Sequence, residues 1–240
     1  DGVNVLIVHA HPEPRSFTAA MNDAAVETLS RAGHSVTVSD LYAQRFNPVA
    51  SAADFGDRAD PDYLVYALEQ RHGYETGTLA PDIAAEIEKL KRCDLLLLTF
   101  PLFWFSVPAI LKGWIDRVLI SGLTYGGKRF YDRGGLAGKK GTLGLTLGAR
   151  PHMFGAEAIH GEIETMLRPL LRGTLYYTGM DVLPPFYGWH VPYIGHEARS
   201  AILADWRRHL LHLESATPLP FPRLDAFDDR LYPKSSGSLA

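Results

Sequence analysis

Short apolar, β-branched runs alternate along this chain with longer stretches whose apolar residues recur every three or four positions. Val3 to Ala10 is the first run, continuous enough for a strand buried on both faces. A turn, His11-Pro12-Glu13-Pro14-Arg15, leads to Ser16, a favourable helix N-cap. From Phe17 to Ala32 the apolar residues Phe17, Met21, Ala24, Ala25 and Leu29 keep helical spacing until Gly33 ends the helix. Val36-Thr37-Val38 predicts a second strand, and a crossover of this length implies that the two run parallel. The alternation continues with a helix over Pro81 to Lys91, a strand over Asp94 to Phe100 and a helix opened by Pro108. It closes with a strand over Gly141 to Leu147, a helix over Ala156 to Leu171, a fifth strand over Thr174 to Leu183 and a helix over Glu197 to Leu213. Phe46 to Gly77 has weak periodicity and reads as an excursion or lid. The fold class is therefore α/β, a doubly wound sheet of five parallel strands with helices on both faces. Residues 1–216 are expected to form the domain, and 217–240, rich in Pro, Asp and Ser, a tail wrapping its surface.

Composition narrows the function classes. With 46% hydrophobic and 21% charged residues the chain has the means to bury a core, and a formal charge of −3 offers no basic face for nucleic acid. The lone Cys93 excludes an intrachain disulfide and a Cys-rich metal site, in keeping with a reducing, cytoplasmic setting. No basic-then-apolar leader opens the sequence, and the longest apolar run, Leu95 to Phe105, is broken by Thr99 and Pro101. It is well short of the roughly 20 residues of a membrane span. A soluble protein is expected.

In a sheet of this kind ligands gather outside the carboxyl ends of the strands, and three of those ends carry unusual residues. The first, His11 to Thr18, enters a helix N-terminus with Ser16 and Thr18 hydroxyls among free backbone N–H groups, a ready anion site. It has neither the glycine pattern of a Rossmann loop nor that of a P-loop, and an ordinary capped helix is the plain alternative. The second end, Pro101-Leu102-Phe103-Trp104-Phe105, puts three aromatic rings on a loop; a flat cofactor ring, the core or a subunit interface would each cover them. The third, Thr146-Leu147-Gly148-Ala149-Arg150, is small enough for close approach of a ligand to backbone, with Phe154 and His160 following. His9 and His11 share a strand face but lack a third ligand, so no metal site is expected.

Several stretches together carry a family resemblance: Ala10-His11 with Ser16-Phe17, Ser39 to Ala43 with Phe46-Asn47-Pro48, Leu79 to Ile83, and above all Phe100 to Trp114. Tyr131-Asp132, Ile159-His160-Gly161 and Ala198-Arg199 follow in the same order. On these residues the chain resembles the NAD(P)H:quinone oxidoreductases of the DT-diaphorase type, within the flavodoxin-like superfamily. The resemblance implies a tightly bound FAD, NADH or NADPH as electron donor, a quinone acceptor, ping-pong kinetics and an obligate homodimer with its active sites at the interface. It implies that His11, Ser16, Phe17, Thr18 and Arg199 hold the adenine dinucleotide end and its pyrophosphate. Pro101, Leu102, Phe103, Trp104 and Phe105 would lie against the isoalloxazine, with backbone groups of Thr146, Leu147, Gly148 and Ala149 turned to it. His160 would be catalytic, with Phe154 at its side, and Tyr125, Gly127, Phe130 and Tyr177 would wall the substrate pocket from the partner subunit.

The sequence departs from the family pattern at several of these positions. Phe154 stands where the family has the tyrosine of a proton relay with the histidine, Phe103 and Val65 replace glutamines, Thr18 an asparagine and Gly127 a pocket-wall tyrosine. The usual Thr-Thr-Gly-Gly turn reads Thr146-Leu147-Gly148-Ala149. Competing expectations are an azo-, nitro- or flavin reductase, a regulatory flavoprotein subunit of a potassium efflux system, and a one-electron carrier; the last is disfavoured by His160 and the aromatic walls, which suit a substrate pocket.

Overall fold

A computed structural model describes residues 2–234. The strands β1 (Asn4–His9), β2 (Ser35–Asp40), β3 (Leu95–Pro101) and β4 (Lys140–Leu147) pair in parallel in the order β2-β1-β3-β4. At the far edge β5 (Asp181–Val182) and β6 (Phe186–Trp189) both pair with β4, on Lys140 to Gly141 and Gly144 to Leu147 respectively. The expected fifth strand is thus one edge position split in two. Pro184 and Pro185 have no N–H for the ladder, and the Thr142 hydroxyl fills the gap by donating to the carbonyls of Leu183 and Pro184. The expected strand start was wrong as well. Helical structure begins only at Ile163, passes through α5 (Ile163–Met166) and α6 (Arg168–Leu170), and widens into a π-helical turn over Leu171–Tyr176. The β-branched and aromatic run Thr174 to Tyr177 therefore continues a helix, because its apolar residues Leu175 and Tyr176 are already buried in that conformation.

Two apolar layers sandwich the sheet. Leu6, Val8 and Leu96 face α3 (Pro81–Arg92) and α4 (Ala109–Val118), while Val5, Ile7 and Leu97 face α1 (Phe17–Arg31) and α7 (His196–Leu211). The second layer closes around Trp206, fully buried, whose indole N–H donates to the Met21 carbonyl at 2.8 Å. Gly144 makes that closure possible, since a Cβ there would lie 2.6 Å from the Trp206 ring. Residues after Ala216 lie along the surface: Leu219 N–H bonds the Val182 carbonyl, and the Tyr176 hydroxyl bonds the Pro222 carbonyl. The last six residues of the expected tail, 235–240, lie outside the described residues.

The excursion between β2 and β3 is a docked element rather than a lid, with its own helix α2 (Tyr66–Thr76). What holds it is a buried ion cluster. Arg117 of α4 donates to Asp54 at 2.9 Å and to Asp82 at 2.6 Å, and the Tyr66 hydroxyl donates to Asp54 at 2.6 Å. Burial alone would raise the Asp54 carboxyl, but hydrogen bonds from Arg117, Tyr66 and the Ser51 amide outweigh it and hold the group below the usual carboxylate range. The folded value lies under the unfolded one, so the stabilisation is complete above about pH 5 and is lost as pH falls further. Asp54→Asn should therefore cost on the order of 3 kcal/mol at neutral pH. In urea unfolding, the gap between wild type and variant should narrow steadily as pH is lowered from about 5 towards about 2. A gap that stays constant over that range would contradict the assigned charge state.

Candidate functional site

The carboxyl ends of β1, β3 and β4 open onto one cleft of about 740 Å³. From the β1 end it is lined by His11, Arg15, Ser16, Phe17 and Thr18; from β3 by Pro101, Leu102 and Phe103; from β4 by Thr146, Leu147 and Gly148. Two long helices start on it. Ser16 caps α1 by accepting from the Ala19 N–H at 3.0 Å, which leaves the Phe17 and Thr18 amides without an acceptor among the described residues. The first turn of α7 brings His196, Arg199 and Ser200 to the same cleft, after Val191 and Pro192. Sequence reasoning found Arg199 and missed its neighbours; His196 and Ser200 stand three before and one after it, a helical spacing that was there to be used.

Several side chains are fixed by local bonds. The Glu13 N–H donates to His11 Nδ1 at 2.9 Å, so a neutral ring carries its proton on Nε2 and remains a donor. Burial, partly countered by Glu13, lowers the His11 pKa and favours that neutral form. Thr18 does not present a free hydroxyl as expected. Its Oγ1 lies 2.8 Å from Thr146 Oγ1, both residues buried, and the pair ties the start of α1 to the end of β4. Beneath the cleft His9 Nδ1 meets Thr99 Oγ1 at 2.8 Å, and burial lowers the His9 pKa despite Asp40 and Asp23.

The rim after β3 is a two-residue reverse turn. Phe103 and Ser106 exchange backbone hydrogen bonds of 3.0 and 2.9 Å, and the two residues between them, Trp104 and Phe105, have φ of 53° and 54°. Both central residues are left-handed, the geometry that asparagine and glycine ordinarily serve. Here two aromatic residues adopt it, with their amides unpaired among the described residues. Trp104 is 98% exposed. Strain of this kind, about 1–3 kcal/mol per residue, persists where a ligand uses it.

Phe105 reaches the third group. Its ring lies 5.3 Å from His160 and 6.3 Å from Phe154, and the latter two are 5.0 Å apart. Beside them the amides of Gly148 and Ala149 have no acceptor among the described residues. By contrast Tyr125, Phe130 and Tyr177 do not line the cleft of their own chain. Tyr177 stacks on Phe130 and meets Tyr125 at a tilt, each at 5.7 Å; Tyr125 and Tyr177 line a second hollow of about 470 Å³, and Gly127 is exposed on the Tyr125 loop.

A family described as having a flavodoxin-like fold matches residues 3–210. The chain is 41% identical to NAD(P)H dehydrogenase [quinone] 1 of Cavia porcellus, over 93% of its own length and 82% of that protein's. It is equally 41% identical to ribosyldihydronicotinamide dehydrogenase [quinone] of Pongo abelii, over 91% and 95% of the two lengths. The chain belongs to the NAD(P)H:quinone oxidoreductase family. A crystal structure of a putative quinone reductase from Klebsiella pneumoniae superposes with a TM-score of 0.93 at 35% identity, covering 97% of this chain and 94% of the other.

The residues present fit a flavin nucleotide. Helix N-termini with Arg15 and Arg199 suit phosphates, the apolar Pro101-Leu102-Phe103 edge suits a flat ring, and the free amides after β3 and β4 suit the ring's polar rim. The strain at the rim is testable without ligand. Because Trp104 is fully exposed, Trp104→Asn loses no packing and relieves one left-handed aromatic. It should raise the unfolding free energy of the cofactor-free chain by about 1 kcal/mol. A lower urea midpoint would show that the turn is unstrained.

Proposed function

We propose that this chain is an FAD-dependent NAD(P)H:quinone oxidoreductase that reduces quinones by two electrons in a ping-pong cycle, as a homodimer. The observation that carries the reading is the single cleft on which two helix N-termini, the Pro101-Leu102-Phe103 edge that leads into the strained Trp104-Phe105 turn, and Gly148 with its free amide converge. His11, Ser16, Phe17, Thr18 and Arg199 would hold the dinucleotide end, and Pro101 to Phe105 with Thr146 to Ala149 would border the isoalloxazine. A bound flavin supplies hydride acceptance from the nicotinamide and hydride delivery to the quinone, the chemistry that no side chain of the cleft provides.

The protein's part is position and charge. The free amide donors, together with an imidazole N–H, would stabilise negative charge on the edge of a bound ring. His160 is the imidazole, and Phe154 beside it keeps the ring stack but donates no proton. Tyr125, Gly127, Phe130 and Tyr177 would close the substrate pocket of the partner subunit. Support for the dimer comes from their separation from their own cleft and from the exposed Tyr63, Leu64, Val65 and Leu68 beside the second hollow. No helix among the described residues is long and apolar enough to cross a membrane, and buried Cys93 forms no disulfide; we place the protein in the cytoplasm.

Mass spectrometry of the released cofactor should find FAD; FMN would overturn that assignment. Steady-state assays should show quinone reduction with NADH or NADPH and parallel double-reciprocal lines. Because two equally similar relatives are named for different donors, dihydronicotinamide riboside belongs in the same assay, and turnover with it alone would reassign the donor. Phe154→Tyr should speed flavin reduction, by an amount up to about ten-fold if one added hydroxyl donor strengthens the charge stabilisation. An unchanged single-turnover rate would show that His160 or solvent suffices.

A further inference from the structure

We propose that His190 is a positioning residue for hydride transfer: its imidazole fixes the Gly148–Ala149 peptide so that the Ala149 amide is held as a donor at the flavin edge. This rests on the flavin reading above, and it concerns a residue to which neither the strand-end pattern nor the family resemblance points.

The β4–β6 ladder ends at the pair Leu147 and Trp189, so Gly148 and His190 are the first residues beyond it on either strand. There the backbone of β6 turns away, with His190 at φ 56° and ψ 24°, a left-handed conformation in a half-buried residue that is not glycine. The side chain replaces the lost rung: His190 Nδ1 lies 2.5 Å from the Gly148 carbonyl. A carbonyl only accepts, so Nδ1 carries the proton. In a trans peptide the C=O of one residue and the N–H of the next point in opposite directions. Holding the Gly148 carbonyl against His190 thus directs the Ala149 N–H to the other side, and that amide has no acceptor among the described residues.

The support is built in from behind as well. Tyr193 packs its ring 5.1 Å from His190, and its Cε2 would lie 3.3 Å from a Cβ on Gly148. The segment then continues directly into the cleft wall: Val191 and Pro192 line it, and Arg199 Nη1 donates to the Val191 carbonyl at 3.4 Å. A strained residue that closes a single hydrogen bond, on a segment shared by both ends of the cleft, is a device for orientation rather than for fold stability. It also suits this chain in particular, where Phe154 contributes no hydroxyl and the amide donors carry more of the charge.

The test separates the backbone from the donor. His190→Gly accepts the left-handed conformation freely and deletes the donor; His190→Asn tolerates the same conformation and restores an N–H near the Nδ1 position. Wild type and both variants are stripped, titrated with FAD, and compared by flavin dissociation constant, flavin midpoint potential and anaerobic single-turnover reduction by NADPH. H190G should show a more negative potential and a reduction rate lower by roughly ten-fold, as for loss of a charge-stabilising donor. H190N should return both to near the wild-type values. Wild-type potential and rate in H190G overturn the proposal, and so does an H190N as impaired as H190G. A wild type that takes up neither FAD nor FMN overturns the cofactor reading and this proposal with it. A flavin-loaded, quinone-reducing wild type beside an unaltered H190G removes the role of His190 alone.

Discussion

A parallel sheet leaves backbone donors unpaired where its strands end, and the candidate cleft of this protein is arranged around that deficit. The order β2-β1-β3-β4 sends the crossovers from β1 and β3 to opposite faces, so nothing covers the crevice between them. Around it the first amides of α1, the two amides of the Trp104-Phe105 turn and those of Gly148 and Ala149 have no acceptor among the described residues. Donors left free at such an edge are satisfied by water or by a ligand rich in acceptors. The binding site is thus the place where the fold's own hydrogen bonding is incomplete.

Half of the six left-handed non-glycine residues among the described residues lie at the same edge. Trp104, Phe105 and His190 are left-handed without being glycine, and all three fall within five residues of a strand's carboxyl end. The compensating stability lies elsewhere: in the apolar layers around Trp114 and Trp206 and in the Arg117 cluster that clamps the β2–β3 excursion onto α4. Separation of this kind lets the pocket vary while the scaffold stays the same. Phe103 and Phe154 replace polar residues of the family pattern without disturbing any strand pairing, because both lie on loops beyond the strand ends, Phe103 on the cleft wall and Phe154 against His160 and Trp189.

The separation of the two groups of candidate residues follows from topology too. His160 and Phe154 cluster with Phe105, two residues beyond the cleft-lining Phe103, whereas Tyr125, Phe130 and Tyr177 form a separate aromatic group. One chain holds both sets but cannot bring them together. Trp104 and the apolar patch before α2, Tyr63, Leu64 and Val65, are exposed on this chain.

Much of this was legible in the sequence, because burial of strands and helices imposes periods of two and 3.6 on where apolar residues fall. Four of the strands, the helices over Phe17 to Ala32 and Pro81 to Lys91, and the three strand ends followed from that alone, and the run from Phe100 to Trp114 pointed to the family. The edge of the sheet did not follow. Thr174 to Tyr177 has strand-forming residues but is helical, since a half-buried aromatic run satisfies either period and tertiary packing chooses. The Arg117 cluster, the Thr18–Thr146 pair and the His190–Gly148 bond join residues separated by between 35 and 128 positions. No local pattern encodes such pairs. Sequence determined which residues would be buried and where the chain would turn; only the folded sheet decided which loops meet across its carboxyl edge, because that depends on strand order and not on any single segment.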